Sequence, residues 1–315
     1  ILLKQKDSEG LSGNITQNAT WARHFLNGTV LGLNYRKNKL SLSGDYGINL
    51  GKDWNENVYT TSFARPAGEY RTKGYYRENT KLANVANYRL GMSYDINSKT
   101  DVSMQYDGLY ALYNLAVEND GASYTPAGAL TSIAMNNNGK TENRNHAGNI
   151  NVNRKLDTNG SSLFAGVQYN NFRNILYDQI RERITYPTGN YTSGQRVNDG
   201  NNGIDLYIAQ FDINKNFKDG RKLEVGGKYS YVANKGSVKF RVRPDGDVDW
   251  TEYAQFANGF IYQEYVPAVY ALYSGKYGKW DYAAGSRAEQ SIVTGFSRKL
   301  NTRVIDTSYF NLFPN

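Results

Sequence analysis

Two histidines, one acidic run and a set of tyrosines are the residues of this chain whose types could do chemistry. His24 and His146 could each act as a general base, given an acidic or hydroxyl partner within hydrogen-bond reach. Asn143 and Asn145 are polar but not acidic, and Asp53 approaches His24 only through a loop. The reading is no enzyme. A hydrolase at the rim would instead lose its activity on His24→Ala or His146→Ala. There is no cysteine and no pair of histidines at metal-ligand spacing. Asp245-Gly246-Asp247-Val248-Asp249 offers oxygen ligands but lacks the bidentate glutamate that completes a calcium loop, so it reads as an acidic turn. No metal or cofactor is expected. Tyr59, Phe63 and Tyr70, with Tyr177, Tyr186 and Tyr191, fall in two polar stretches rich in Asn and Arg. Flat rings pack against sugars or peptides while amides supply hydrogen bonds, so these six are the candidate ligand-binding residues.

The elements that must position them alternate with period two. Leu40, Leu42, Gly44, Tyr46, Ile48 and Leu50 share one face of an extended segment, and Ser41, Ser43, Asp45, Gly47 and Asn49 share the other. Such contrast means that one face meets an apolar medium and the other meets water. Leu31, Leu33 and Tyr35 precede it across a turn at Arg36 to Lys39. Further pairs turn at Asn97 to Thr100, Asp157 to Gly160, Lys218 to Gly220 and Lys276 to Lys279, each with the Gly, Asn, Asp or Ser that tight hairpins need. Between the pairs lie polar stretches near 51–82, 114–143, 175–203 and 236–261, with a shorter one near 293–305, which read as long loops. With a first strand at Leu11 to Trp21, the count is eleven strands and the start of a twelfth near Ser308.

Short turns at one end, long loops at the other and dyad-period strands between are the pattern of an outer-membrane β-barrel. The expected fold is all-β: an antiparallel transmembrane up-and-down barrel with periplasmic turns and extracellular loops. The longest nearly apolar run, Val266 to Tyr273, is far short of the ~20 residues a spanning helix needs. A mean hydropathy of -0.67 fits a soluble all-β protein too, but half of each barrel strand faces water. The net charge of +8 is dispersed over turns and loops, which suits lipid phosphates at barrel rims and not nucleic acid. Tyr35, Tyr94, Phe217, Tyr277 and Trp280 sit at or beside the short turns, where a membrane-interface girdle belongs. Pro267, inside a strand, removes a ladder hydrogen bond and predicts a bulge or local edge.

Specific stretches resemble a family. Asn34-Tyr35-Arg36-Lys37-Asn38-Lys39, Leu90 to Asn97, Gly220 to Tyr229, Tyr277-Gly278-Lys279-Trp280, Ala283 to Glu289 and Ser308 to Pro314 are similar to the barrel of TonB-dependent outer-membrane receptors. The resemblance implies that residues 1–10 are the end of a plug and its junction, and 11–315 a partial barrel, about half of the family's roughly 22 strands. It further implies a Gram-negative outer-membrane location and uptake of a nutrient, with TonB contacted only through a segment ahead of the plug. Outer-membrane lipid and lipopolysaccharide are the expected surroundings. A barrel of this kind serving adhesion or assembly is the other reading. Two open edges would not be tolerated in lipid. The strands are therefore expected to close, to oligomerise or to belong to a longer polypeptide.

Overall fold

A computed structural model describes residues 9–315; of the expected plug end and junction at 1–10, residues 1–8 lie outside the described residues and Gly10 already opens the first strand. Every regular element is a strand: β1 (Gly10–Trp21), β2 (Phe25–Lys37), β3 (Leu40–Arg65), β4 (Gly68–Asn97), β5 (Thr100–Tyr124), β6 (Leu130–Lys155) and β7 (Ser162–Thr185). β8 (Tyr191–Asn216), β9 (Lys222–Pro244), the short β10 (Thr251–Glu252), β11 (Asn258–Tyr277), β12 (Trp280–Ser297) and β13 (Thr302–Pro314) follow. All pair antiparallel with their chain neighbours in one up-and-down barrel wall, with β10 added beside β9 so that β11 pairs directly with β9. The ladder ends at β1 and β13, and no described residue pairs with their far edges.

Residue chemistry explains the short turns. Asn38 takes a φ of 52° between β2 and β3, a conformation asparagine tolerates better than most side chains. The Asn97 side chain accepts the Lys99 amide at 2.9 Å, and Asp157 accepts the amides of Asn159 at 2.9 Å and Ser161 at 3.2 Å. Gly278 supplies a φ of 60° between β11 and β12. The ammonium of Lys215, 2.6 Å from Asp157, with Ser161 behind it, holds that carboxyl well below the usual carboxylate range. A depressed carboxyl pKa stabilises the fold above its unfolded value and loses that contribution as pH falls through the folded one. Asp157→Asn should therefore raise amide exchange in the β6–β7 turn at pH 6 and remove the protection that the parent loses only in strong acid. Exchange measured from pH 2 to 7 checks this.

The polar stretches read as loops are mostly β-ribbon. β3 to β8 run for 24 to 30 residues, against the ~9–11 that cross a bilayer. The true tips are at residues 66–67, 125–129 and 186–190, with a longer excursion at 245–257 and a last turn at 298–301. Beyond the membrane both faces of a strand meet water. The apolar-polar contrast disappears there while the backbone ladder continues, so the sequence shows a polar stretch where the chain is still paired.

The Pro267 expectation is half right. β11 keeps its register with β9 straight through Pro267↔Tyr229. On the β12 side the ladder lapses at Val266 and Pro267 and resumes at Ala268↔Glu289 in unchanged register, so there is a gap and no bulge. A bulge lies elsewhere: β4 carries one extra residue near Ala83, seen as a register shift against both β3 and β5.

Register defines the two faces. Leu42, Met92, Met104, Ile150, Val167, Ala209 and Tyr229 form one row across seven strands, each opposite the next. Leu11, Ile15, Leu33, Leu90, Phe211, Val269 and Leu312, all large, apolar and exposed, lie on this same face. The other face presents Ser41, Ser93, Ser103, Asn151 and Gly166 in an adjacent row. The first face meets lipid and the second lines the lumen.

Candidate functional site

The β3–β4 ribbon concentrates aromatic and charged groups beyond the bilayer. Phe63 and Tyr70 are register partners, and their rings stack at 5.7 Å with an interplanar angle of 2°. The Arg65 guanidinium lies 5.3 Å from one ring centroid and 5.5 Å from the other. Lower on the same face Tyr59 lies opposite Gly74, and its ring fills the space a Cβ at Gly74 would need. The Tyr76 hydroxyl donates to Glu78 at 2.6 Å, and Thr80 donates to the same carboxylate at 2.8 Å. That carboxylate, with some burial, pushes the Tyr76 phenol up to about 12. Tyr76 is thus a proton-bearing donor at neutral pH. By register this face continues the lumen side of the wall.

The opposite face of the ribbon is a cation–aromatic cluster. Arg23, from the turn between β1 and β2, sits 3.6 Å over the Trp54 ring, and Arg77 lies 5.4 Å from the same centroid. Arg77 also donates to Tyr75 at 2.9 Å and to Glu118 at 2.9 Å. His24 meets Trp54 edge-on at 6.0 Å, and its Nε2 is buried without a hydrogen-bond partner among the described residues. Sequence reasoning singled out His24 but not Trp54. Trp54 lies mid-strand in a stretch that reads as loop, so only its pairing in β3 reveals the contact.

The six candidate ligand-binding residues do not converge. Tyr59, Phe63 and Tyr70 share the lumen side of the β3–β4 ribbon. Tyr177 and Tyr191 are strand residues of β7 and β8 on the other face, Tyr191 beneath the Arg183 guanidinium at 3.8 Å. Tyr186 caps the β7–β8 tip, its amide bonded to the Asn190 carbonyl at 2.8 Å. A two-residue period assigns a residue to a face only once its strand is recognised, and these segments had been read as loop.

His146 lies well inside β6, on the lipid face. Its Nδ1 lies 2.7 Å from the Tyr106 hydroxyl and 3.4 Å from that of Tyr88. Asp245 of the acidic run accepts the Ser193 hydroxyl. Tyr35, Tyr94, Tyr277 and Trp280 lie on the lipid face near the short turns, and Phe217 lies in the β8–β9 turn beneath Arg221.

A second aromatic row escaped sequence reading. Tyr169, Tyr207, Tyr231 and Tyr265 stand opposite one another on the lipid face, with successive centroids at 4.7, 6.0 and 4.6 Å. Phe217 and Tyr207 are separated by roughly ten residues, or about 25 Å of height at the usual rise and tilt. That matches the apolar band of a barrel bounded by rings at both interfaces.

An antiparallel wall with one apolar face, short basic turns at one end and long ribbons at the other defines an outer-membrane β-barrel. The chain matches the model of the outer membrane protein beta-barrel family over residues 154–315, from the end of β6 to β13, and belongs to that family. Its location is the outer membrane of a Gram-negative cell. Neither the curated proteins nor the solved structures contain a match to the chain.

Proposed function

We propose that this barrel is a receptor that captures a nutrient at its outer ribbons and takes it up, driven through TonB in the manner of the receptors its strands resemble. The observation that carries the reading is the stacked Phe63–Tyr70 pair under Arg65, with Phe63 exposed and Tyr70 half-buried, on the lumen side of a ribbon far outside the bilayer. Such a platform offers two aromatic faces, a guanidinium and the Tyr76–Glu78 pair, the groups that hold a sugar ring or a peptide. The role is binding and not catalysis, with the aromatic rows anchoring the wall at the two interfaces. Adhesion or assembly is the competing role.

The test uses labelled oligosaccharide and peptide pools on cells carrying the intact protein. Uptake should collapse with a protonophore, and Phe63→Ala with Tyr70→Ala should reduce binding about tenfold, the loss of about 1.4 kcal/mol. Surface binding that persists unchanged under the protonophore, with no internalised label, would favour adhesion.

A further inference from the structure

On the lumen side of the outer ribbons, residues of β4 to β7 stand in rows. Glu78, Val117, Asn137 and Ile180 lie opposite one another in one row. Two residues nearer the membrane the row is Thr80, Leu115, Gly139 and Asp178, and the next is Leu82, Tyr113, Thr141 and Leu176. On this face β6 is therefore a polar stripe between the apolar stripes of β5 and β7. Its positions recur every two residues, the repeat of an extended peptide. A peptide laid along β6 would set its backbone against Asn137 and Thr141, with its side chains on the apolar stripes at either hand.

Two carboxylates flank this track, roughly 14 Å apart at three strand spacings. Glu78 is held by the hydroxyls of Tyr76 and Thr80. The Asp178 carboxylate leans over Gly139 and fills the space a Cβ there would need. Burial raises the Asp178 carboxyl, against a hydrogen bond from Asn137. Neither carboxylate forms an ion pair among the described residues. Neutral donors fix such a group but leave its charge uncompensated, and a cleft lined by one sign of charge draws the other. The lumen-side cations nearby do not supply the balance, since Arg89 is paired with Asp107 and Arg196 with Glu182. At the tip of the β3–β4 ribbon the stacked Phe63 and Tyr70 rings already carry a cation, the Arg65 guanidinium. That is the geometry a ligand's arginine or lysine would adopt.

We propose that the nutrient is a basic peptide, an inference that rests on the protein's being a receptor. The peptide lies extended along β6, its apolar side chains against Val117 and Leu176. Its cations meet Glu78 and Asp178, and its leading basic residue competes with Arg65 for the aromatic platform.

Cells carrying the intact protein are given labelled basic, neutral and acidic versions of one peptide, alike in length and apolar content, or a neutral oligosaccharide. Bound and internalised label are measured with and without a protonophore. The basic peptide should bind about tenfold better than the others. Glu78→Gln with Asp178→Asn should remove most of that preference while leaving the heat-modifiable band unchanged, because burial already disfavours the Asp178 charge. Arg65→Gln should strengthen binding of the basic peptide, whereas a sugar held by that guanidinium would bind less. Energised uptake of the oligosaccharide or the acidic peptide at the same level would overturn the basic-peptide inference and leave the receptor standing. Preferred binding of the basic peptide with no internalised label would do the reverse. Indifference to the carboxylate changes, as when a segment of the chain itself neutralises the track, would also overturn the inference.

Discussion

Phe211→Arg should destabilise the protein in lipid vesicles by about 2–4 kcal/mol, the cost of an arginine near the bilayer midplane, while Gln210→Arg costs less than about 1 kcal/mol. The two positions are adjacent on β8 and differ only in the face they present. Phe211 stands between Ala165 and Gly227 on the lipid face and is exposed, so a guanidinium there enters hydrocarbon with no partner. Gln210 turns to the lumen, where its amide already donates to Asp212 at 2.6 Å, and an arginine would find the same carboxylate in water. Guanidinium unfolding from vesicles measures both. Equal costs would mean that the faces are wrongly assigned.

The second large effect belongs to Gly51→Val. Gly51 has a φ of 137°, and a Cβ there would come within 2.3 Å of the Phe25 carbonyl oxygen and 2.9 Å of the Leu26 Cα. Both obstacles are backbone, so neither can swing aside as a side-chain tip would. The residue also lies at the register shift where the extra residue of β4 is absorbed. Strain of this kind costs at least about 2 kcal/mol. It should also move the β1–β2 turn that lays Arg23 on Trp54. Gly44→Ala is the comparison: its Cβ would meet Leu90 at 3.5 Å, an ordinary contact, and stability should hardly change. The same unfolding assay, with Trp emission as a second readout, separates the two.

These contrasts mark what the sequence could and could not show. Inside the membrane the two faces of a strand meet different media, so Leu40 to Leu50 is legible as a strand from period two alone. The turns are legible because Asn38, Asp157 and Gly278 carry the conformational demands themselves. Above the membrane both faces meet water, and Asn55, Asn57, Thr60 and Ser62 look like loop although they are paired residue by residue with β4. The Phe63–Tyr70 stack was hidden for the same reason: the two residues become neighbours only when the ribbon is known to turn at residues 66–67. The outer tyrosine row could have been found by counting about ten residues up each strand from its short turn.

The central claim is that alternate residues of each strand face lipid and lumen through the membrane. Because the chain has no cysteine, single-cysteine spin labels can be placed in turn at positions 206 to 213 of β8 in vesicles without altering any native thiol. Their collisions with oxygen and with a water-soluble nickel chelate should alternate. Positions 207, 209, 211 and 213 should favour oxygen, and 206, 208, 210 and 212 should favour nickel. A flat or inverted profile would contradict the account.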